Sequence, residues 1–232
     1  IAFGFEVARR VQAGEFIFKG TLQDGETAFS LDGVPPTPVG HRLYVDVLRR
    51  ALPELLRAPV ESRSVPAPMH ADNWERAALR EVTGEMMRGD WQPVALDDDN
   101  LRGATKALLP PTWRTATPGA AIEFDFTGTR FGLLGIAAPD SGEFIVRVDG
   151  GEPVVGTFFD FYATPSFCRQ RTWFYPHTLS AGTHRVRVEL SANPVDKAEI
   201  KSKAGRPMEP VEAYAPQRLT ICALLPIDLS LP

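Results

Sequence analysis

The sequence predicts a chain of mixed α+β class, with helical segments first and an all-β sandwich of jelly-roll type from about residue 110 onward. Three observations carry this reading. Apolar residues recur at helical spacing in the segments up to Met87, whereas beyond it they alternate with polar ones. The alternating runs are bounded by turn signals such as Asp149-Gly150-Gly151 and Ala181-Gly182. Within the helical region, residues 58–71 form one run rich in Pro and Ser with no period, which reads as a linker or a surface-hugging connection.

Taken in order, Phe5, Ala8 and Val11, with Val7 alongside, form a short helical stripe that ends at Gly14. Phe16, Ile17 and Phe18 follow as a brief apolar run. Ser30 to Tyr44 then reads S-L-D-G-V-P-P-T-P-V-G-H-R-L-Y, an acidic residue in a Gly- and Pro-rich turn that runs into a helix. Thr37 is placed to cap that helix and Pro38 to occupy its first position. Leu43, Val47, Leu48, Ala51, Leu52 and Leu55 recur at helical spacing to about Leu56, with Pro53 expected to bend or restart the helix near its end. Residues 58–71 form the linker, and Asp72, three residues before Glu75, gives a capping-box signature for a helix through Met87, closed by Gly89.

The sandwich is read from Ile122, Phe124 and Phe126, from Phe144, Val146 and Val148, and from Val186, Val188 and Leu190, each set alternating with its neighbours as strands with one wet face do. Apolar runs at Arg130–Ala137, Val154–Tyr162, Arg171–Tyr175 and Arg218–Leu225 bring the expected strands to about seven. The domain expectation is therefore residues 1–57, a linker and helix over 58–109, and a β-sandwich over 110–232.

Composition limits the function classes. At 232 residues, 44% of them hydrophobic and 23% charged, the chain can bury one large core or two ordinary ones, as a soluble globular protein does. A net charge of -4, with no Lys/Arg cluster interleaved with aromatics, excludes a broad nucleic-acid or anionic-lipid surface. No run approaches the roughly 18 apolar residues of a membrane-spanning helix. Two cysteines, Cys168 and Cys222, have no metal spacing and are expected as buried thiols. No cofactor motif is present, and cytoplasmic and secreted bacterial-type locations are both open.

At the Asp32 turn the chain resembles a known family. D-G-V-P-P-T-P-V-G-H-R-L-Y is similar to the last block of the SGNH (GDSL-type) ester hydrolases, an Asp-x-x-His-Pro turn leading into an amphipathic helix. E-V-A-R-R-V-Q-A-G-E-F-I-F-K-G resembles the segment before that block in bacterial members with a C-terminal β-sandwich. G-T-R-F-G-L-L-G-I, S-G-E-F-I-V-R-V-D-G and L-S-A-G-T-H-R-V-R-V-E-L resemble the appended sandwich. The resemblance thus implies the C-terminal segment of an α/β SGNH-type domain followed by an accessory sandwich, with an upstream hydrolase portion or partner chain supplying the serine. The implied substrate is a small ester or an acylated carbohydrate.

In that chemistry a serine attacks the ester, a histidine takes its proton and an aspartate orients the imidazole. Asp32 matches the aspartate and Pro36 the proline, but the histidine position is held by Pro35, which has no group to accept a proton. Loss of a triad member costs on the order of 10⁴ to 10⁶ in turnover. His41, in the first turn of the helix, is the alternative base; otherwise it is a surface or capping histidine. Asp32 is otherwise a turn carboxylate bonded to nearby backbone N–H groups.

A second class stands beside the hydrolase: a non-catalytic sandwich that binds carbohydrate or docks a domain, with Trp173 and Tyr175, alongside His177 and residues 158–162, as a sugar-stacking platform or as core packing. A third is a sandwich of purely structural role. Asp97, Asp98, Asp99 and Asn100 read as a solvated acidic loop, since the Gly and distal Glu of a calcium loop are missing. His70 and His184 read as structural.

Overall fold

The computed structural model describes residues 3–21, 23, 27–59, 64, 66–67, 69, 74, 76–95, 97–98, 101 and 110–228. The chain divides into two compact units, Ile1–Ala67 and Pro68–Pro232. Among the described residues no helix is long and apolar enough to cross a membrane.

The first unit holds α1 (Phe3–Gln12), β1 (Ile17–Lys19), β2 (Ala28–Ser30) and α2 (Pro38–Arg57). The two strands pair in parallel, Ile17 with Ala28 and Lys19 with Ser30. Val7, Phe29 and Leu43 form its buried cluster, with Val11, Phe16 and Tyr44 packed on it. Phe29 is fixed there by Phe18 stacked at 5.7 Å and Tyr44 edge-on at 5.6 Å. The expected stripe on α1 is corrected: Val7 is buried, whereas Phe5 is 78% exposed. Two residues along a helix turn through about 200°, so a helix that seats Val7 and Val11 on Phe29 must turn Phe5 outward. The cap of α2 is where the sequence places it, the Thr37 hydroxyl accepting from the Gly40 N–H at 3.2 Å with Pro38 at the helix start. The helix runs through Pro53 without a break.

The second unit is built on a ten-strand antiparallel sheet, and the class is α+β with sheet dominant. Its strands are β3 (Arg80–Glu81), β4 (Met87–Arg88), β5 (Gln92–Pro93), β6 (Trp113–Thr115), β7 (Ala121–Ala137), β8 (Glu143–Val148), β9 (Val154–Thr157), β10 (Arg169–Phe174), β11 (Gly182–Leu190) and β12 (Leu219–Asp228). The main order is β5-β6-β12-β7-β11-β8-β9, with β3 on β12 and both β4 and β10 on β7. Strand β7 is the spine. Its first half, from Ala121 to Gly128, pairs with β11, and its second half, from Gly128 to Ala137, pairs with β12 and β10. Sequence alternation is reproduced in burial: Phe124 and Phe126, Phe144 and Val146, Val186 and Val188 all point into one core, which also takes Leu219, Ile221 and Leu224 from β12. The runs expected as separate strands at 122–126 and 130–137 are one 17-residue strand.

The helix expected from Asp72 to Met87 is not formed over its described part. Asp72 and Glu75 lie outside the described residues, but Ala77 bridges Ile227, Arg80–Glu81 pairs with β12, Gly84–Met86 is a single 3₁₀ turn and Met87 pairs with Ile122 of β7. Val82 is buried in the sheet core and its carbonyl accepts from the Trp113 indole at 3.2 Å. Over these described residues, tertiary packing of an extended segment takes the place of the expected helix. The one α-helix of this unit among the described residues, α3 (Lys197–Lys203), was not expected. It is capped by Asp196, whose carboxylate accepts from the Glu199 N–H at 2.8 Å.

Candidate functional site

In the first unit the candidate site is the turn between β2 and α2. Ser30, fully buried at the end of β2, accepts from the Gly33 N–H at 2.9 Å and donates to Asp32 Oδ1 at 3.3 Å. Asp32 Oδ1 also accepts from the Val34 N–H at 2.9 Å, closing an Asx turn in which Gly33 takes the left-handed backbone that a side chain disfavours, at φ 98°. The turn is then pinned to the strand: Ser30 bridges Pro36, the Thr37 N–H donates to the Phe29 carbonyl at 2.8 Å and the Thr37 hydroxyl to the Ala28 carbonyl at 2.6 Å. A side chain at Gly40 would come within 2.6 Å of the Phe29 carbonyl, so glycine lets the helix close onto the strand.

Asp32 and Pro35 are both exposed and line an open depression of about 470 Å³ together with Pro36 and Thr37. His41 is exposed on the first turn of α2, its N–H donating to the Thr37 carbonyl at 2.9 Å, and it does not line this depression. The structure therefore places Asp32, Pro35 and Pro36 along one depression and leaves His41 apart from it. What this turn can do alone is hold a carboxylate in a fixed place beside a helix start.

In the second unit Trp173 and Tyr175 are half-buried against the core. Trp173 meets Phe144 edge-on at 5.3 Å, and Tyr175 stacks on Phe131 at 5.2 Å with His177 edge-on at 5.5 Å. Tyr175 thus serves packing. Trp173 does more: with Glu143, Gly156, Thr157 and Asp196 it lines an open groove of about 400 Å³ along the outer strand β9. Glu143 comes from β8, Asp196 from the cap of α3, and Gly156 and Thr157 from β9. Sequence reading found Trp173 and missed the other four, because only sheet order brings them together.

The other described candidates make packing, hydrogen-bond or ion-pair contacts. His184 is buried, with Nδ1 at 2.7 Å from Asp149 Oδ2 and Nε2 at 2.7 Å from the Ser180 carbonyl. Cys168 and Cys222 are buried thiols in one apolar cluster with Ile136, and burial pushes the Cys222 thiol up to about 11. Asp98 is held by Arg114 at 2.8 Å; Asp99, Asn100 and His70 lie outside the described residues. Among the described residues no group of acidic, His or Cys side chains is placed to hold a metal ion.

No family model matches the chain, and no curated protein does either. Solved structures do. A two-domain esterase (CEX) active on acetylated mannans matches over 94% of this chain with a TM-score of 0.63 and 15% identity, both alone and co-crystallised with mannopentaose. The fold matched is that of a two-domain esterase. The chain spans about half of that protein, 52% of its length. At 15% identity the likeness is one of fold. A further match, to the CBM36-1 domain of a multidomain xylanase from the hindgut metagenome of Trinervitermes trinervoides, covers 64% of this chain and 94% of that one with 8% identity and a TM-score of 0.39.

Proposed function

We propose that the chain is the C-terminal part of an SGNH-type ester hydrolase, acting on a small ester or an acylated glycan together with an upstream hydrolase portion or partner chain that supplies the serine. The observation that carries this is the Asp32 turn, a carboxylate pinned between a buried strand end and a capped helix in a chain whose fold matches a two-domain esterase over 94% of its length. The first unit also offers the surface such a partner would cover. Its two-stranded parallel pair is of a kind normally buried on both faces, and Leu48, Leu52, Leu55 and Leu56 of α2 are exposed, Leu56 to 77%.

With Pro35 at the base position, this chain alone is expected to turn over p-nitrophenyl acetate no faster than buffer. In the chain joined to its upstream hydrolase portion, Pro35→His is expected to raise turnover by on the order of 10³ or more, and Asp32→Ala to remove that gain. A Pro35→His variant no faster than its parent would sink the triad reading.

A second reading, a sandwich that binds carbohydrate without chemistry, is favoured by the groove beside Trp173. Retardation of the chain in a polysaccharide affinity gel tests it, and migration unchanged across neutral and charged polysaccharides would count against it.

A further inference from the structure

The groove along β9 carries polar groups from four elements or loops. Glu143 is half-buried there and its carboxylate has no hydrogen-bond partner among the described residues, nor does the Trp173 indole N–H. Asp196 Oδ1 is used in capping α3, at 2.8 Å from the Glu199 N–H, and the Thr157 hydroxyl donates to the Gly142 carbonyl at 2.9 Å. Gly156 keeps the indole N–H open, since a Cβ at that position would stand 2.7 Å from Trp173 Nε1. The lining contains two carboxylates and no Lys or Arg.

A ligand that satisfies this wall must donate to Glu143 and accept from the indole. An ammonium donates only, and a carboxylate, sulfate or phosphate accepts only and meets like charge. A hydroxyl does both, and its bond to a carboxylate is charge-assisted. We infer that the β9 groove, with Trp173 and Glu143 as its two polar contacts, binds a neutral glycan through its free hydroxyls. This rests on the carbohydrate-binding reading of the second unit and adds to it the place and the charge class of the sugar.

The test is calorimetric titration of the whole chain with neutral pentasaccharides of mannose, glucose, xylose and galactose, with an oligogalacturonate and with a chitosan oligomer. Trp173→Phe removes the N–H and keeps an aromatic ring, Glu143→Gln removes the charge, and Asp196→Asn keeps a good helix cap. At least one neutral pentasaccharide is expected to bind, with affinity falling about tenfold in Trp173→Phe and in Glu143→Gln while the unfolding midpoint holds. Neutral-glycan binding undiminished in both variants would overturn the groove and leave the carbohydrate reading standing. Tighter binding of the oligogalacturonate or the chitosan oligomer would overturn the charge class, and no binding by any probe would overturn groove and carbohydrate reading together.

Discussion

At His184, two acceptors face the two ring nitrogens, and only a doubly protonated imidazolium can donate to both. The Asp149 hydrogen bond, then the Ser180 carbonyl, raise the His184 pKa above its ordinary 6.5 against the cost of burial. Asp149 is lowered in return, by His184 first and then by the Arg185 N–H. A raised folded pKa gives a contribution complete below about 6.5 and lost as pH rises through the folded value. The unfolding midpoint should therefore fall as the pH is raised above neutrality, and His184→Gln should remove that slope. The ion-paired bond is worth about 1 kcal/mol, discounted because Asp149 is half exposed. A wild-type midpoint flat from acid to alkaline pH would mean that the ring is not charged. The turn that holds Asp32 and Pro35 was legible in the sequence because turn chemistry is local. Glu143 and Asp196 were not, being 53 residues apart and joined only by the folded sheet.

Two elements show what local pattern can and cannot reveal. Asp72-x-x-Glu75 and Asp196-x-x-Glu199 carry the same helix-start signature; the second starts a helix, whereas the described residues from Arg76 to Arg88 that follow the first form no α-helix. The residues after the first contribute Val82 to the sheet core and donate pairs to β12 and β7, which a helix would forfeit. Alternation in β8 and β11 was readable because each strand has one buried face. The continuity of β7 was hidden by its glycines. At Gly128 a Cβ would lie 2.1 Å from the Ile227 carbonyl of β12, so glycine there admits the close approach at which β7 passes from one partner to the next. Gly128→Ala is expected to cost about 1–3 kcal/mol in chemical denaturation, against a small effect for Gly84→Ala, which meets nothing within 4 Å. Equal midpoints for the two variants would show that the crossing is slack.

On the scale of the whole molecule, the two units differ in how much core each encloses. The second has a continuous core fed by β7, β8, β11 and β12, whereas the first, among the described residues, has Val7, Phe29 and Leu43 in its buried cluster and exposes more along α2. A core that small leaves little to offset chain entropy. Residues 68–232 expressed alone should unfold in one cooperative transition, and residues 1–67 alone should show none by circular dichroism; a sharp melt of the short piece would show that its exposed face needs no partner.

A further consequence lies in β7. Its amides are hydrogen-bonded first to β11 and then to β12, so neither half of the sheet can open to solvent without fraying the strand that anchors the other. Hydrogen exchange in the two halves should consequently be correlated, and a sugar clamped beside β9 should slow amide exchange in β12 at the far side of the sheet.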